Sequence, residues 1–332
     1  MKTNLQSYEK DFAELLNLIH LTKQRTFAKI NKELIELYWQ LGKKLSDKVA
    51  ANNWGKGVVK ELAKYISQNA SELKGFSDKN LWRMKQFYDT YHSNPKLSPL
   101  VREIPWTHNT IIFSRCKTDE ERAYYLCKCS KEGYSSRELE RQISSSQFER
   151  SETGKPILSA ALRELYPHIG NNFKDRYVLE FLGLPPKHSE QGLQKALLKN
   201  MKQFILELGS DFIFIGEEYR LQVGKQDFFV DLLFFHRGLS ALVAFELKVD
   251  KFKPEHIGQL NFYLEALDRD VKKQHENPTI GVLLCRDKDD EVVEYALSRN
   301  MSPALIAEYE TKLPDKKLLR SKLREIIEDN SE

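Results

Sequence analysis

Residues 226–251, QDFFVDLLFFHRGLSALVAFELKVDK, have the most informative pattern for the architecture of this chain. The runs FFVDLLFF and LVAFELKV are rich in aromatic and branched residues, and the similar run YRLQV precedes them. The segments VGKQ and HRGLS separate the three runs, and each contains a glycine suited to a tight reversal. The pattern predicts a three-stranded antiparallel meander.

Charged side chains interrupt these apolar runs. Alternation along residues 242–249 sends Glu246 and Lys248 to one face of the last strand, and Asp231 lies at the centre of the strand before it. A buried carboxylate costs several kcal/mol unless it is paired or binds a metal. Because hairpin pairing brings neighbouring strands side by side, we expect Asp231 and Glu246 to lie together. The alternative interpretation is a structural salt bridge between Lys248 and one of the acids.

Two neighbouring acids are better explained by a bound cation. Mg²⁺ prefers hard oxygen ligands from a few carboxylates and leaves its remaining positions to water and phosphate. The sequence therefore predicts Mg²⁺ held by Asp231 and Glu246, with Mn²⁺ as a substitute. Lys248 would orient or deprotonate the attacking water, or neutralise charge that builds up on the phosphorane.

The segments around the meander alternate between helix and strand. An apolar stripe along residues 193–209 predicts a helix before it, and a second helix begins near Pro254 after it. The apolar run IGVLLC at 280–285 predicts a further strand. A helix near 291–297, a strand near 304–309 and a charged helical tail complete the chain.

Gln259 and Tyr263 are four residues apart in the helix after Pro254, so they share one face of it. That face is expected either to border the acids, which would make both residues part of the site, or to hold a core tyrosine beside an exposed glutamine. The spacing alone does not separate these two interpretations.

The first 150 residues follow a helical pattern, which a loop with three prolines interrupts at residues 93–105. Apolar side chains recur at helical spacing, as in Phe12, Leu15, Leu16 and Ile19. Ser77, Thr118 and Ser135 are the expected N-caps of three helices. The polar segment SSSQFERSETGKP at 144–156 has little to bury and predicts a linker. We therefore predict a helical domain over residues 1–150 and an α/β domain over residues 160–332.

Charge also divides the chain. Residues 1–150 contain 26 basic and 18 acidic side chains, whereas the rest contains 26 basic and 30 acidic ones. Lys and Arg that neutralise phosphates supply most sequence-independent affinity for nucleic acids, although a solvated helical surface has a similar composition. The candidate phosphate contacts are Lys79, Arg83, Lys85, Arg137 and Arg141. Their aromatic neighbours more naturally pack in the domain's own core, which leaves the cations as a solvated face. Short helices with turns are also compatible with a helix-turn-helix-like or winged reader, although no definite groove-reading motif is present.

Several protein classes are excluded by composition. The chain has 332 residues, 41% hydrophobic and 30% charged, which is typical of a folded globular protein. No apolar run is long enough for a membrane span, and the first residues lack the pattern of a signal peptide, so a cytoplasmic location is expected. The four cysteines give neither a disulfide framework nor a zinc-ligand pattern.

The chemistry-bearing residues resemble a known superfamily. Asp231, the triplet Glu246-Leu247-Lys248, and the pair Gln259 and Tyr263 are similar to the PD-(D/E)XK nuclease pattern, with Val230 where the name has proline. Longer phrases, among them GFSDKNLWRMKQFYDTY, PWTHNTIIF, YVLEFLGLP and ENPTIGVLLC, are similar to the YhcG-type family of bacterial nucleases. Members of that family have a helical N-terminal domain of unknown function before a nuclease-like domain.

The resemblance carries further expectations. It implies a restriction-endonuclease-like core, a mixed sheet in the order α-β-β-β-α-β flanked by helices, and Mg²⁺-dependent hydrolysis of phosphodiester bonds in restriction or mobile-DNA processing. In the superfamily an acid on the first core helix often helps to hold the metal, and Glu207 has the corresponding place here, with Glu217 and Glu218 as rivals.

We therefore predict a DNA-directed phosphodiesterase with Asp231, Glu246, Lys248, Gln259 and Tyr263 at its catalytic centre. A non-catalytic nucleic-acid-binding or assembly module on a nuclease fold is the alternative, and RNA is a further candidate substrate. Because many enzymes that cut both strands pair two active sites, a homodimer is also considered.

Overall fold

The computed structural model describes residues 5–51, 54–167, 169, 172–209 and 211–329. Contacts divide the chain into a helical unit, Met1–Ile143, and a sheet-containing unit, Ser144–Glu332. None of the helices in the described ranges is both long and apolar enough to cross a bilayer.

The helical unit contains no strand within its described residues. Its helices are α1 (Leu5–Ala50), α2 (Lys56–Asn69), α3 (Asp78–Tyr91), α4 (Trp106–Arg115), α5 (Asp119–Glu132) and α6 (Ser136–Ser144). The predicted N-caps are confirmed: Ser77, Thr118 and Ser135 each accept a hydrogen bond from a backbone N–H three residues later.

An aromatic cluster forms the core of the helical unit. Phe87 on α3 packs against the rings of Trp39 and Trp106, with centroid distances of 5.6 and 5.3 Å. Gly42 allows α1 to approach α3 closely, because a Cβ there would lie 2.2 Å from the carbonyl oxygen of Met84. The aromatic residues of α3 therefore pack mainly inside this unit.

The first half of α1 differs from the expected amphipathic helix. Phe12, Leu15, Leu16 and Ile19 keep the predicted helical spacing, but their side chains are exposed. Burial begins further along, at Ile35, Tyr38 and Leu45. The periodicity predicted the helix correctly, although not the face or the part of it that packs.

The sheet-containing unit has one six-stranded mixed sheet, in the order β1-β6-β5-β4-β3-β2. Its strands are β1 (Arg176–Val178), β2 (Phe212–Val223), β3 (Gln226–His236), β4 (Ala241–Lys251), β5 (Asn277–Asp287) and β6 (Ala304–Glu310). Its helices are α7 (Gln147–Thr153), α8 (Ala160–Leu165), α9 (Glu190–Lys199), α10 (Met201–Leu208), α11 (His256–Asp270), α12 (Asp290–Ser298) and α13 (Lys316–Asp329). The strands β2, β3 and β4 are antiparallel neighbours, which confirms the predicted meander, and the remaining pairs are parallel.

Helices cover both faces of the sheet. Phe204 of α10 packs with Phe234 and Phe245 on one face. Leu260 and Leu264 of α11 pack on the other face, directly over Gly281 of β5. The core order from α10 through β2, β3, β4, α11 and β5 matches the expected α-β-β-β-α-β arrangement, so the predicted restriction-endonuclease-like fold is confirmed.

Three local features differ from the sequence-based expectation. The helix predicted over 193–209 is two helices separated at Asn200, whose side-chain amide donates to the Ala196 carbonyl. The segment predicted as a linker instead forms α7, with Glu149 and Arg150 buried in ion pairs, because its polar side chains are paired rather than solvated. The edge strand β1 was not predicted, since three residues give no periodic signal.

Candidate active site

The strands β3 and β4 separate where the acidic residues begin. Their backbone ladder ends at the pair Leu232 and Phe245, so Asp231 and Glu246 would form the next pair. The N–H of Leu247 instead donates to Oδ2 of Asp231 at 2.7 Å. The carboxylate therefore occupies a place that a backbone carbonyl takes in a regular ladder, and the two strands diverge beyond it.

An irregularity on the other neighbour of β3 lies opposite the same residue. In β2 the pairs Glu217–Leu232 and Tyr219–Val230 are formed, and Glu218 between them has a φ of 41°. A non-glycine residue in this left-handed region is strained and often marks a functional position. Val230 and Leu232 pack on opposite faces of the sheet although they are two residues apart. The regular alternation of side chains is thus interrupted at Asp231.

Glu246 has the most unusual environment of the predicted residues. Its side chain is almost fully buried, and Oε1 accepts a hydrogen bond from Nζ of Lys248 at 2.9 Å. Its second oxygen, Oε2, is buried and has no hydrogen-bond partner among the residues that the structure describes. Burial and the neighbouring charge of Asp231 raise the pKa of Glu246 to about 7. Burial also raises the pKa of Asp231, even though the Leu247 amide opposes the shift.

The ammonium group of Lys248 lies among three carboxylates. Nζ is 2.9 Å from Glu246 Oε1 and 3.8 Å from Glu190 Oε2, and the charge of Asp231 also acts on it. Burial works to lower the pKa of Lys248, but the hydrogen bond and charge of Glu246 outweigh it, so the pKa is raised. Lys248 is therefore a cation near neutral pH in this arrangement. This favours charge neutralisation over deprotonation of water.

The residues present fit a divalent cation. Buried acceptors normally have a hydrogen-bond partner, so the unpaired Oε2 of Glu246 is explained by a bound ion, and Asp231 supplies a second carboxylate beside it. Among the described residues, no group of three or more His, Cys, Asp or Glu side chains is gathered tightly enough to enclose an ion. Such a site suits Mg²⁺, which takes one or two carboxylates and keeps water and phosphate as its other ligands.

A third acid near the site was not predicted from the sequence. Glu190 begins α9, and its charge raises the pKa values of both Asp231 and Glu246. Ser189 caps the same helix by accepting from the Gly192 N–H. The only sequence signal was this Ser-Glu helix start, which is an ordinary N-terminal pattern. Glu218, considered as a rival ligand, also acts on Asp231 through its charge.

Glu207 lies elsewhere in the unit. Its Oε1 is 3.0 Å from Lys174 Nζ and 3.3 Å from Arg150 Nη1, and it accepts from the Val178 N–H at 3.2 Å. Val178 belongs to β1, three strand positions from β4. Because neighbouring strands are about 4.8 Å apart, Glu207 is on the order of 14 Å from the strand that carries Glu246. The geometry therefore does not bring Glu207 together with the other predicted metal ligands.

The sequence left two interpretations of Tyr263 and Gln259 open: a helix face that borders the acids, or a core tyrosine beside an exposed glutamine. The structure has features of both. Tyr263 is buried in the core, and its hydroxyl accepts from Gln259 Nε2 at 2.8 Å. The charges of Glu246 and Asp231 act on the tyrosine, whose pKa burial raises. The shared face of α11 therefore borders the acids, and the exposed Gln259 is positioned by the tyrosine.

The predicted phosphate contacts all lie in the helical unit. Lys79 and Arg83 are exposed one turn apart on α3, and Arg137 is exposed on α6. Lys85 forms an ion pair with Asp89, and Arg141 forms one with Glu138 at 3.2 Å. Three of the five cations are thus displayed to solvent, and two are partly neutralised within their own helices.

Comparison with known proteins gives matches to both parts of the chain. Residues 170–324 match the model of the YhcG PDDEXK nuclease domain, and residues 14–150 match the DUF1016 N-terminal domain. The chain is 30% identical to the protein named "Putative nuclease YhcG" from Escherichia coli (strain K12), over 95% of this chain and 93% of that protein. A repair endonuclease from Pyrococcus abyssi is similar over 37% of this chain and 48% of its own, with 17% identity and a TM-score of 0.26.

Proposed function

The chain belongs to the YhcG-type family of PDDEXK nucleases, and we propose that it hydrolyses phosphodiester bonds of DNA with a Mg²⁺ ion held by Asp231 and Glu246. The proposal assigns cleavage to residues 160–332 and recruitment of nucleic acid to residues 1–150.

The buried, partnerless Oε2 of Glu246 is the observation that carries the proposal. A structural ion pair with Lys248 would account for Oε1 but would leave Oε2 desolvated and unpaired, at a cost of about 1–3 kcal/mol or more for a charged group. The neighbouring Asp231 adds repulsion to that cost. A divalent cation between the two carboxylates removes both penalties, which a salt bridge alone does not.

Each residue has a distinct role in this proposal. Asp231 and Glu246 hold the ion, and when bound it supplies Lewis-acid polarisation of a phosphoryl oxygen and stabilisation of developing charge. Lys248, which is cationic, donates to a phosphate oxygen as negative charge builds up. Tyr263 orients Gln259 through their hydrogen bond, and the exposed amide of Gln259 positions the scissile phosphate or the attacking water.

The exposed cations of the helical unit support the recruitment of a polyanion. Lys79 and Arg83 present two charges one turn apart on α3, a spacing suited to phosphates on one strand. The internal ion pairs of Lys85 and Arg141 reduce what those two cations contribute. We therefore expect Lys79→Ala combined with Arg83→Ala to weaken binding about equally for all sequences, and to reduce its salt dependence.

The decisive experiment is a cleavage assay on supercoiled plasmid, linear duplex, single-stranded DNA and RNA with Mg²⁺ or EDTA. Wild type and Asp231→Asn are compared, with Glu294→Gln on α12 as the matched exposed control. We expect cleavage of at least one DNA form, abolition by EDTA, and a loss of at least about a hundredfold in Asp231→Asn. Cleavage that persists with EDTA and with Asp231→Asn would refute the metal mechanism. Cleavage of RNA alone would refute the DNA assignment, and tight salt-sensitive binding without any turnover would identify a binding module.

A further inference from the structure

Four large apolar side chains on α1 form an exposed row, which we call the α1 stripe: Leu16, Ile19, Phe27 and Ile30. Their exposed fractions are between 55% and 66%. They are spaced by three, eight and three residues, so they lie on one side of the helix. An apolar stripe of this size is rare on a monomeric soluble protein.

The α1 stripe is not the face that α1 uses within its own unit. The buried face consists of Ile35, Tyr38 and Leu45. At 3.6 residues per turn, the mean direction of the stripe differs from that of this face by roughly 70°. Leu34 and Leu37 continue the stripe into the packed half of the helix and remain partly exposed there. The stripe therefore continues along the helix as a second apolar surface.

A helix needs such a second surface to be covered. Every described side chain from Glu14 to Ile30 is exposed, so the described residues of the helical unit give this part of α1 no packing support. Helices in water draw most of their stability from tertiary packing of an apolar face rather than from intrinsic propensity. A continuous helix over these residues is thus best explained by a partner on the stripe.

The spacing of the stripe identifies that partner as a second copy. Leu16 and Ile30 are each seven residues from Lys23, and Ile19 and Phe27 are each four residues from it. When two identical helices cross antiparallel with a two-fold axis at Lys23, Leu16 therefore lies opposite Ile30, and Ile19 opposite Phe27. An isologous interface requires this kind of self-complementarity, whereas an unrelated partner does not.

We propose that two copies of this chain associate through antiparallel pairing of the α1 stripes, with the two-fold axis at Lys23. The stripe and its flanking leucines present on the order of 500 Å² of apolar surface per chain, so a pair would bury on the order of 1,000 Å², the lower limit for a specific interface. Lys23 meets its own symmetry mate, and its aliphatic stem can extend so that the two ammonium groups separate into solvent. A single charged position of this type fixes register while it weakens the pair.

Sedimentation velocity of the full-length protein from about 1 to 50 µM tests the association. We expect a dimer that Ile19→Gln combined with Phe27→Gln converts to a monomer. The matched control is Leu18→Gln combined with Leu21→Gln, which removes two large exposed apolar side chains from other faces of the same helix and should leave the dimer intact. A monomeric parent protein, or a dimer that both double variants weaken equally, would overturn the proposal.

Cysteine cross-linking tests the register. Helices packed 8–10 Å apart bring facing Cα atoms within disulfide range, so Lys23→Cys should form a disulfide-linked dimer on mild oxidation. Leu16→Cys should not, because its symmetry mate is 14 residues away along the axis, about 21 Å. Cross-linking of Leu16→Cys but not of Lys23→Cys would show that the two helices do not pair antiparallel about Lys23. The inference does not rest on the proposed nuclease chemistry, since both measurements are independent of cleavage.

Discussion

Replacement of Glu246 by glutamine is expected to stabilise the metal-free protein above neutral pH. Burial and Asp231 raise the pKa of Glu246 from 4.5 to about 7, so the folded state binds its proton more tightly than the unfolded state does. The contribution of Glu246 to the free energy of unfolding is therefore fully present below pH 4.5 and is lost as the pH rises to about 7. Glutamine does not titrate, and it escapes this loss.

The size of the effect follows from the same shift. The difference of about 2.5 pKa units corresponds to about 3 kcal/mol at 1.36 kcal/mol per unit. Lys248 loses a carboxylate partner in the variant, so this value is an upper bound. We expect Glu246→Gln to match the wild type at pH 4.5 and to exceed it by up to about 3 kcal/mol at pH 8 in EDTA. Saturating Mg²⁺ should restore stability to the wild type alone.

Urea unfolding monitored by far-UV circular dichroism measures this difference. All four tryptophans lie within residues 1–143, so their fluorescence reports unfolding of the helical unit separately. Glu207→Gln is the matched control, for which a change of opposite sign in the free energy of unfolding is expected. The Glu207 carboxylate is fully buried between Arg150 and Lys174, so its neutralisation should destabilise the protein. Equal destabilisation of both variants at pH 8 in EDTA would show that the buried charge of Glu246 does not destabilise the metal-free protein.

Three further outcomes are expected. Mg²⁺ binding should weaken about tenfold per pH unit below pH 7, because binding releases a proton from Glu246. Calorimetry in two buffers of different ionisation enthalpy measures the proton release. Binding that does not depend on pH would contradict the role of Glu246 as a ligand. Lys248→Ala should lower the cleavage rate by about a hundredfold while Lys248→Arg retains part of it, and an inactive arginine variant would favour a general base instead. Gly42→Ala should destabilise the helical unit by several kcal/mol, as measured by tryptophan fluorescence in urea. Gly57→Ala is the control. A Cβ there meets nothing within 4 Å, so the substitution should be neutral or stabilising by about 0.5–1 kcal/mol.

The sequence predicted the position of the acids because their environment is a local property. Asp231, Glu246 and Lys248 interrupt apolar strands, and alternation together with hairpin pairing is enough to place them side by side. Nothing local predicts that β3 and β4 diverge beyond them. The pairing ends where the side chain of Asp231 accepts from the Leu247 amide and where Glu218 in β2 is left-handed.

The positions of Glu190 and Glu207, on the two helices before the meander, could not be predicted from the sequence pattern. Glu207 follows an apolar stripe and precedes the first strand, so it has the expected position in the chain, yet its carboxylate meets Val178 in β1. The break at Asn200 and the extra edge strand determine where each end of the helix pair lies, and neither has a periodic signal. Glu190, ten residues before that break, is the acid that approaches Lys248.

The hydrogen bond between Asp231 and the Leu247 amide affects how relatives of this protein can be judged. A relative that has lost its chemistry would still be expected to keep aspartate or asparagine here, because an alanine would leave the amide without an acceptor and would allow the strands to close. Glu246 makes no such structural contribution through Oε2, and an apolar or amide side chain in its place would improve stability. The residue that a relative has at the position of Glu246 is therefore the better indicator of whether it still cleaves.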